Sequence, residues 1–113
     1  MPGHYIIKQS NAAQPYHFVL RADNNHVILT SENYASKQGA LKGIASCQIN
    51  SPDDGRYQRK QSTAAQPYSF VLKAGNGEII GRSENYTTEA SRETGIASVK
   101  VNGPTSDIRD ETT

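Results

Sequence analysis

Tyr16-His17-Phe18-Val19-Leu20-Arg21-Ala22 and, 52 residues later, Tyr68-Ser69-Phe70-Val71-Leu72-Lys73-Ala74 are the stretches whose reading decides the fold. Each places Tyr, Phe, Leu and Ala at every second position, the period of a strand with one buried face. Asp23-Asn24-Asn25 or Gly75-Asn76-Gly77 follows; Asn-Gly supplies the positive φ angles that a two-residue hairpin turn requires, and Asn-Asn tolerates them next best. Short apolar strands come next, Val27-Ile28-Leu29 and Ile79-Ile80-Gly81. Ahead of the Pro15 and Pro67 turns, Tyr5-Ile6-Ile7-Lys8 and Tyr57-Gln58-Arg59-Lys60 read as first strands. Gln58 and Arg59 replace two isoleucines, so the second copy of that strand belongs nearer a sheet edge.

The duplication extends over residues 5–50 and 57–102, without a gap and with 24 identities in 46 pairs. Residues 36–49 and 88–101 read as helices. Ser36 and Thr88 are suitable N-caps, and Glu89 suits the positive end of the helix dipole. Ile44/Ile96, Ala45/Ala97 and Cys47/Val99 form an apolar stripe at helical spacing. All eight pairs from Ala35/Thr87 to Lys42/Thr94 differ, so the early helix reads as exposed and the rest as scaffold. Repeat one spans about 4–52, repeat two about 56–104, and a C-terminal segment covers 105–113. A single unit near 50 residues makes a marginal core, whereas 113 residues bury roughly 65% of their unfolded surface. One domain of residues 1–113 with a shared core is expected: an α+β fold of two repeats about a pseudo-twofold, with two helices on one mainly antiparallel sheet. On this reading the chain is a monomer acting as a pseudo-dimer.

Charge is balanced, with 12 Lys and Arg against 11 Asp and Glu. Neither half forms a polybasic footprint, which disfavours duplex nucleic acid as a partner. No apolar run reaches seven residues, so no membrane helix is expected. The N-terminus lacks the n- and h-regions of a signal peptide and the Gly of a myristoylation signal. With a lone Cys47 that cannot pair within the chain, the expected compartment is the cytoplasm.

Phe18-Val19-Leu20-Arg21-Ala22, Val27-Ile28-Leu29-Thr30-Ser31-Glu32, Gly43-Ile44-Ala45-Ser46 and Asn50-Ser51-Pro52, with their partners in the second half, resemble the YegP-like family of small bacterial proteins without an assigned activity. The resemblance covers nearly the whole chain. It implies a β3-α-β unit, occurring as tandem repeats or paired subunits, that builds one continuous sheet and exchanges its final strands between units. On that model Arg56–Lys60 serves the first unit's exchange and Ile108 with its neighbours the second's. The family supplies no catalytic motif.

Candidate chemistry is sparse. His4, His17, His26 and Cys47 lie at least nine residues apart, not in the close pairs of a zinc site, so neither metal nor cofactor is expected. Cys47, on the helix stripe opposite Val99, reads as a small buried hydrophobe. Gly43 and Gly95 inside helices imply a close backbone approach. The strongest candidates for function are the repeated turns Ser31-Glu32-Asn33-Tyr34 and Ser83-Glu84-Asn85-Tyr86. Acid, amide and phenol recur there, and pseudo-symmetry would bring Glu32 and Glu84 close enough for acid–base work. Turn chemistry accounts for the same residues structurally. The sequence therefore points to a small non-catalytic module binding an unidentified protein or small molecule. The alternatives are an enzyme using these turns, or weak single-stranded nucleic-acid binding on a sheet carrying Tyr16, Phe18 and Arg21.

Overall fold

The computed structural model describes residues 3–112, leaving Met1, Pro2 and Thr113 of the two terminal segments outside. The first repeat contributes β1 (His4–Gln9), β2 (Tyr16–Arg21), β3 (Val27–Ser31) and α1 (Lys37–Asn50). After a 3-10 turn at Asp54–Arg56, the second contributes β4 (Tyr57–Gln61), β5 (Tyr68–Lys73), β6 (Ile79–Arg82) and α2 (Glu89–Asn102), and β7 (Ile108–Asp110) ends the chain. All strands join one seven-stranded sheet in the order β4-β5-β6-β3-β2-β1-β7. Two antiparallel meanders meet at the β3–β6 seam, where Thr30 faces Arg82 and Ser31 faces Gly81.

The helices begin where their caps dictate: the Ser36 hydroxyl accepts from Gly39 N–H, and the Thr88 hydroxyl from Ser91 N–H. The hairpin tips differ in detail from the expected two-residue turn. Asn25 N–H donates to Ala22 O and Gly77 N–H to Ala74 O, and positive φ occurs once per turn, at Asn25 (71°) and Gly77 (87°). A left-handed residue after a tight turn lets the strands resume with a bulge, seen as the register shifts at Leu20/Arg21 and Leu72/Lys73.

Tyr5, Ile7, Phe18, Leu20, Phe70 and Leu72 form the helix-covered face, with Ile44, Cys47, Ile96 and Val99 above them. The helices cross the seam: α1 touches β5 and β6 as well as its own strands, and α2 touches β2 and β3. The Tyr5 hydroxyl donates to Gly103 O at the end of α2, and its equivalent Tyr57 donates to Ser51 O at the end of α1. Both repeats thus share one core.

Three details depart from the sequence reading. Ala45 and Ala97 are exposed, and the buried stripe runs instead through Gly43, Ile44 and Cys47 and through Gly95, Ile96 and Val99. The early helix is not wholly exposed either. Ala40 is fully buried, and its equivalent Arg92 is buried with its guanidinium 5.3 Å over the Tyr68 ring and donating to Glu89, Glu93 and Lys60 O. Lastly, Ile6, Val19 and Val71 point to the helix-free face yet are only 4, 5 and 2% exposed. Their register neighbours include Arg21, Lys8 and Arg82, whose aliphatic stems can lie over them.

The exchange implied by the family resemblance is present at one end. β7, from the second repeat, lies parallel to β1 of the first, with Tyr5 N–H donating to Asp107 O and Glu111 N–H donating to Ile7 O, both at 2.9 Å. Of the counterpart, Arg56–Lys60, Arg56 ends the 3-10 turn and residues 57–60 are merged into β4, which is itself the first strand of the second meander. β4 is the outermost strand on its side, and four of its five residues are exposed, as the loss of Ile6 and Ile7 to Gln58 and Arg59 foretells. Among the described residues no helix is long and apolar enough to cross a membrane.

Candidate functional site

The repeated Ser-Glu-Asn-Tyr turns sit where β3 leads to α1 and β6 to α2. The Ser31 hydroxyl accepts from Phe18 N–H at 2.8 Å and donates to Glu32 O at 2.7 Å; Ser83 does the same with Phe70 and Glu84. Tyr34 exchanges both backbone hydrogen bonds with Tyr16, and Tyr86 with Tyr68. These serines and tyrosines therefore hold the strand-to-helix connection, while Asn33 and Asn85 face solvent.

The tyrosine rings explain the helical glycines. A Cβ on Gly43 would collide with the Tyr34 phenol and stand 2.9 Å from Phe18, and a Cβ on Gly95 would meet the Tyr86 ring in the same way. Burial raises the pKa of both phenols above the ordinary tyrosine value.

Glu32 and Glu84 are not brought together. Glu32 N–H donates to Ile80 O, and the antiparallel count from Ser31↔Gly81 sets residue 84 opposite residue 28. Four strand residues, roughly 13 Å, separate the two positions. Each acid instead crosses the seam to its own partner: Arg82 donates to Glu32 at 3.1 Å, and His26 Nε2 lies 2.7 Å from Glu84.

What the repeats do bring together is a pair of clefts. The larger, about 410 Å³, has Ala22, Asn24, His26 and Ile28 of repeat one facing Tyr86, Ser91, Thr94 and Ser98 of repeat two. The smaller, about 230 Å³, has the equivalent Ala74, Asn76, Glu78 and Ile80 facing Tyr34, Gly39, Lys42 and Ser46. Thus each hairpin tip covers the helix of the other repeat. Among the differences, Thr94 stands where the smaller cleft has the long Lys42 side chain, and His26 where it has Glu78. Asn24 and Asn76 orient the two tips alike, each side-chain oxygen accepting from the N–H two residues on, at 3.0 Å.

In the larger cleft the walls are small and hydroxylated. Thr94 and Ser91 are themselves satisfied by Ala90 O and Thr88. The His26–Glu84 contact fixes one ring nitrogen and leaves Nδ1 without a protein partner among the described residues. On its far side this pair also borders a second space of about 440 Å³ with Arg21, Thr30 and Ser83. The buried Arg21 Nε has no partner among the described residues.

The remaining histidines and the cysteine are dispersed. Burial lowers the pKa of His4 and His17, and among the described residues no three His, Cys, Asp or Glu side chains gather as a metal site. Burial pushes the Cys47 thiol up to about 11, which makes it a poor nucleophile. Sequence reasoning treated His26 only as a metal candidate and passed over Ser91 and Thr94. The signal for Ser91 and Thr94 was present in the eight differing pairs, because Gly39/Ser91 and Lys42/Thr94 help distinguish one cleft from the other.

Comparison with known proteins agrees with this architecture. The model of the "Domain of unknown function (DUF1508)" matches twice, at residues 11–58 and 64–110. The UPF0339 protein YegP of Escherichia coli K12 is 49% identical over 112 residues, covering 99% of this chain and all of that one. A UPF0339 protein of Bordetella pertussis is 50% identical over 99% of this chain and 98% of its own length. The solution NMR structure of yegP from E. coli, described as a protein of unknown function, superposes with a TM-score of 0.91 at 48% identity, covering 99% of this chain and 95% of that one. That of a UPF0339 protein from Shewanella oneidensis gives 0.90 at 46%, covering 99% and 93%. The chain belongs to the DUF1508 family of bacterial YegP-like proteins, a family of unknown function, and carries two copies of its domain in one sheet.

Proposed function

We propose that this protein is a small non-catalytic binding module of the cytoplasm, working as a monomeric pseudo-dimer, whose ligand seat is the larger inter-repeat cleft. The observation that carries this reading is the asymmetry of the two equivalent clefts. Thr94, in place of the long Lys42 side chain, leaves one of them open at about 410 Å³, inside the size range of small-molecule sites. Its chemistry favours a small neutral or singly anionic metabolite. Ala22, Ile28 and Ala90 take an apolar edge, while His26 Nδ1, Asn24 and the Tyr86 hydroxyl offer hydrogen bonds. The buried, unreactive Cys47 is consistent with a reducing compartment.

The single-stranded nucleic-acid reading loses its platform, because Phe18 and Phe70 are fully buried beneath the helices and cannot stack bases. The test is a metabolite-library thermal-shift screen of the wild-type chain beside Thr94→Lys, which copies Lys42 into the open cleft. Hits that stabilise the wild type and fail on Thr94→Lys support the proposal. Hits indifferent to the substitution, or an absence of hits, overturn it. Turnover of a hit that is lost in Glu84→Gln would favour the enzyme instead.

A further inference from the structure

The two repeats have equivalent outer edges, one closed and one open. Residues 108–110 stand 52 positions beyond 56–58, so β7 occupies the place of a third first strand. It lies parallel to β1, with Tyr5 opposite Ile108, Ile6 opposite Arg109 and Ile7 opposite Asp110. An ion pair from Lys37, the first residue of α1, to Asp110 holds its helix-side flank.

The equivalent edge belongs to β4. Tyr57 and Arg59 pair with Leu72 and Phe70 in the register by which Tyr5 and Ile7 pair with Leu20 and Phe18. The C=O of Tyr57 and the N–H and C=O of Arg59 therefore point off the sheet, as those of Tyr5 and Ile7 point at β7, while the Tyr57 N–H is already taken by Asp54 O in the 3-10 turn. Among the described residues no strand pairs with β4 on that side. Such a row of open groups is a template for an added strand.

The flanking charge differs between the edges. Glu89, the first residue of α2, stands where α1 has Lys37; it is exposed and receives one contact, from Arg92. On the helix-free face, Lys60 repeats Lys8.

We propose that the outer edge of β4 docks an extended segment of a partner protein, parallel to β4 as β7 is to β1, with a basic residue where β7 carries Asp110 and an acidic residue next, where β7 is followed by Glu111. Glu89 attracts the basic side chain and Lys60 the acidic one. The chain's own tail has Asp110 at the first of these positions and is repelled by Glu89, which keeps copies of the protein from joining edge to tail. Arg59 stands directly opposite the docked basic residue, as Ile7 stands opposite Asp110, but its own charge is met by Glu93 and Asp54, which leaves Glu89 to set the sign there. This site is separate from the inter-repeat cleft and stands without it.

The test is an NMR titration of the labelled full-length protein with two synthetic peptides, one spanning Ser106–Thr112 and one the same with Asp110→Lys. The Asp110→Lys peptide should shift the amides of Tyr57–Gln61 and bind about three- to tenfold more tightly than the unaltered peptide, the scale of turning one exposed repulsion into an attraction. In a Glu89→Lys protein that retains its amide dispersion, the order of the two peptides should invert. Shifts confined to β1, no shift at β4 at millimolar peptide, or an order unchanged by Glu89→Lys would each overturn the proposal.

Discussion

Replacing Gly43 by alanine tests whether the helix-facing tyrosine is as tightly seated as its contacts imply. In a helix interior this change ordinarily stabilises by about 1 kcal/mol, because glycine loses more backbone entropy on folding. Here the new Cβ would lie 2.7 Å from the Tyr34 ring carbon that bears the hydroxyl and 2.9 Å from Phe18, inside ordinary van der Waals contact. The ring cannot easily step aside. Tyr34 is fixed through two backbone bonds to Tyr16 and stacks on Phe18 at 6.3 Å. Overpacking of this kind costs about 1–3 kcal/mol. Gly43→Ala should therefore destabilise by about 1 kcal/mol net, reversing the sign expected of an unhindered helix. In a Tyr34→Ala background the phenol is gone and the Phe18 ring stacked on it gains room to shift away, so the same substitution should stabilise by up to the usual ~1 kcal/mol. Urea denaturation of all four proteins in the cycle measures the coupling, expected at about 2 kcal/mol. Gly43→Ala stabilising equally in both backgrounds would refute the reasoning.

Other outcomes follow from the same geometry. Truncation after Ser106 removes β7 and its hydrogen bonds to Tyr5 and Ile7, and should cost about 2 kcal/mol in urea melts. Light scattering should then show self-association through the bared β1 edge. Stability should also fall on the alkaline side. Cys47 titrates near 11 in the folded chain against 9.0 unfolded, so the unfolded state sheds its proton first and stability declines as pH rises from about 9 to 11. Burial raises the phenols of Tyr5, Tyr57, Tyr34 and Tyr86 in the same direction. Cys47→Val, which copies Val99, should flatten the thiol's part of that decline; an unchanged pH profile would show that the thiol contributes nothing.

The strands, the helix caps and the edge position of β4 were legible because each rests on local chemistry: alternation at Phe18-Leu20 and Phe70-Leu72, the hydroxyls of Ser36 and Thr88, the isoleucines lost at Gln58-Arg59. The seam was not. Only its register separates Glu32 from Glu84, and no local pattern announces which residues of two antiparallel strands will face each other. The clefts escaped for a related reason, since each is made by a hairpin tip of one repeat above a helix of the other. Arg92 escaped because an arginine reads as surface, while its partners Tyr68 and Lys60 O arrive from strands more than twenty residues away. Identity between the copies also proved a mixed guide. Ser10 and Ser62 are turn formers, each receiving a hydrogen bond from the N–H two residues on. Ala12-Ala13-Gln14 and Ala64-Ala65-Gln66 are identical yet exposed, so burial does not account for them.

The cleft and the strand exchange both depend on two repeats interlocked through one core. Separate expression of residues 1–53 and 54–113 tests this directly, with amide dispersion and sedimentation mass as the readouts. Each half leaves Tyr5, Phe18 and Leu20, or Tyr57, Phe70 and Leu72, without the helix and strand that cross the seam to cover them. Each should be largely unfolded or self-associated, while the intact chain melts in one cooperative transition at monomeric mass. A monomeric half with the dispersed amide spectrum of a folded domain would contradict the shared core.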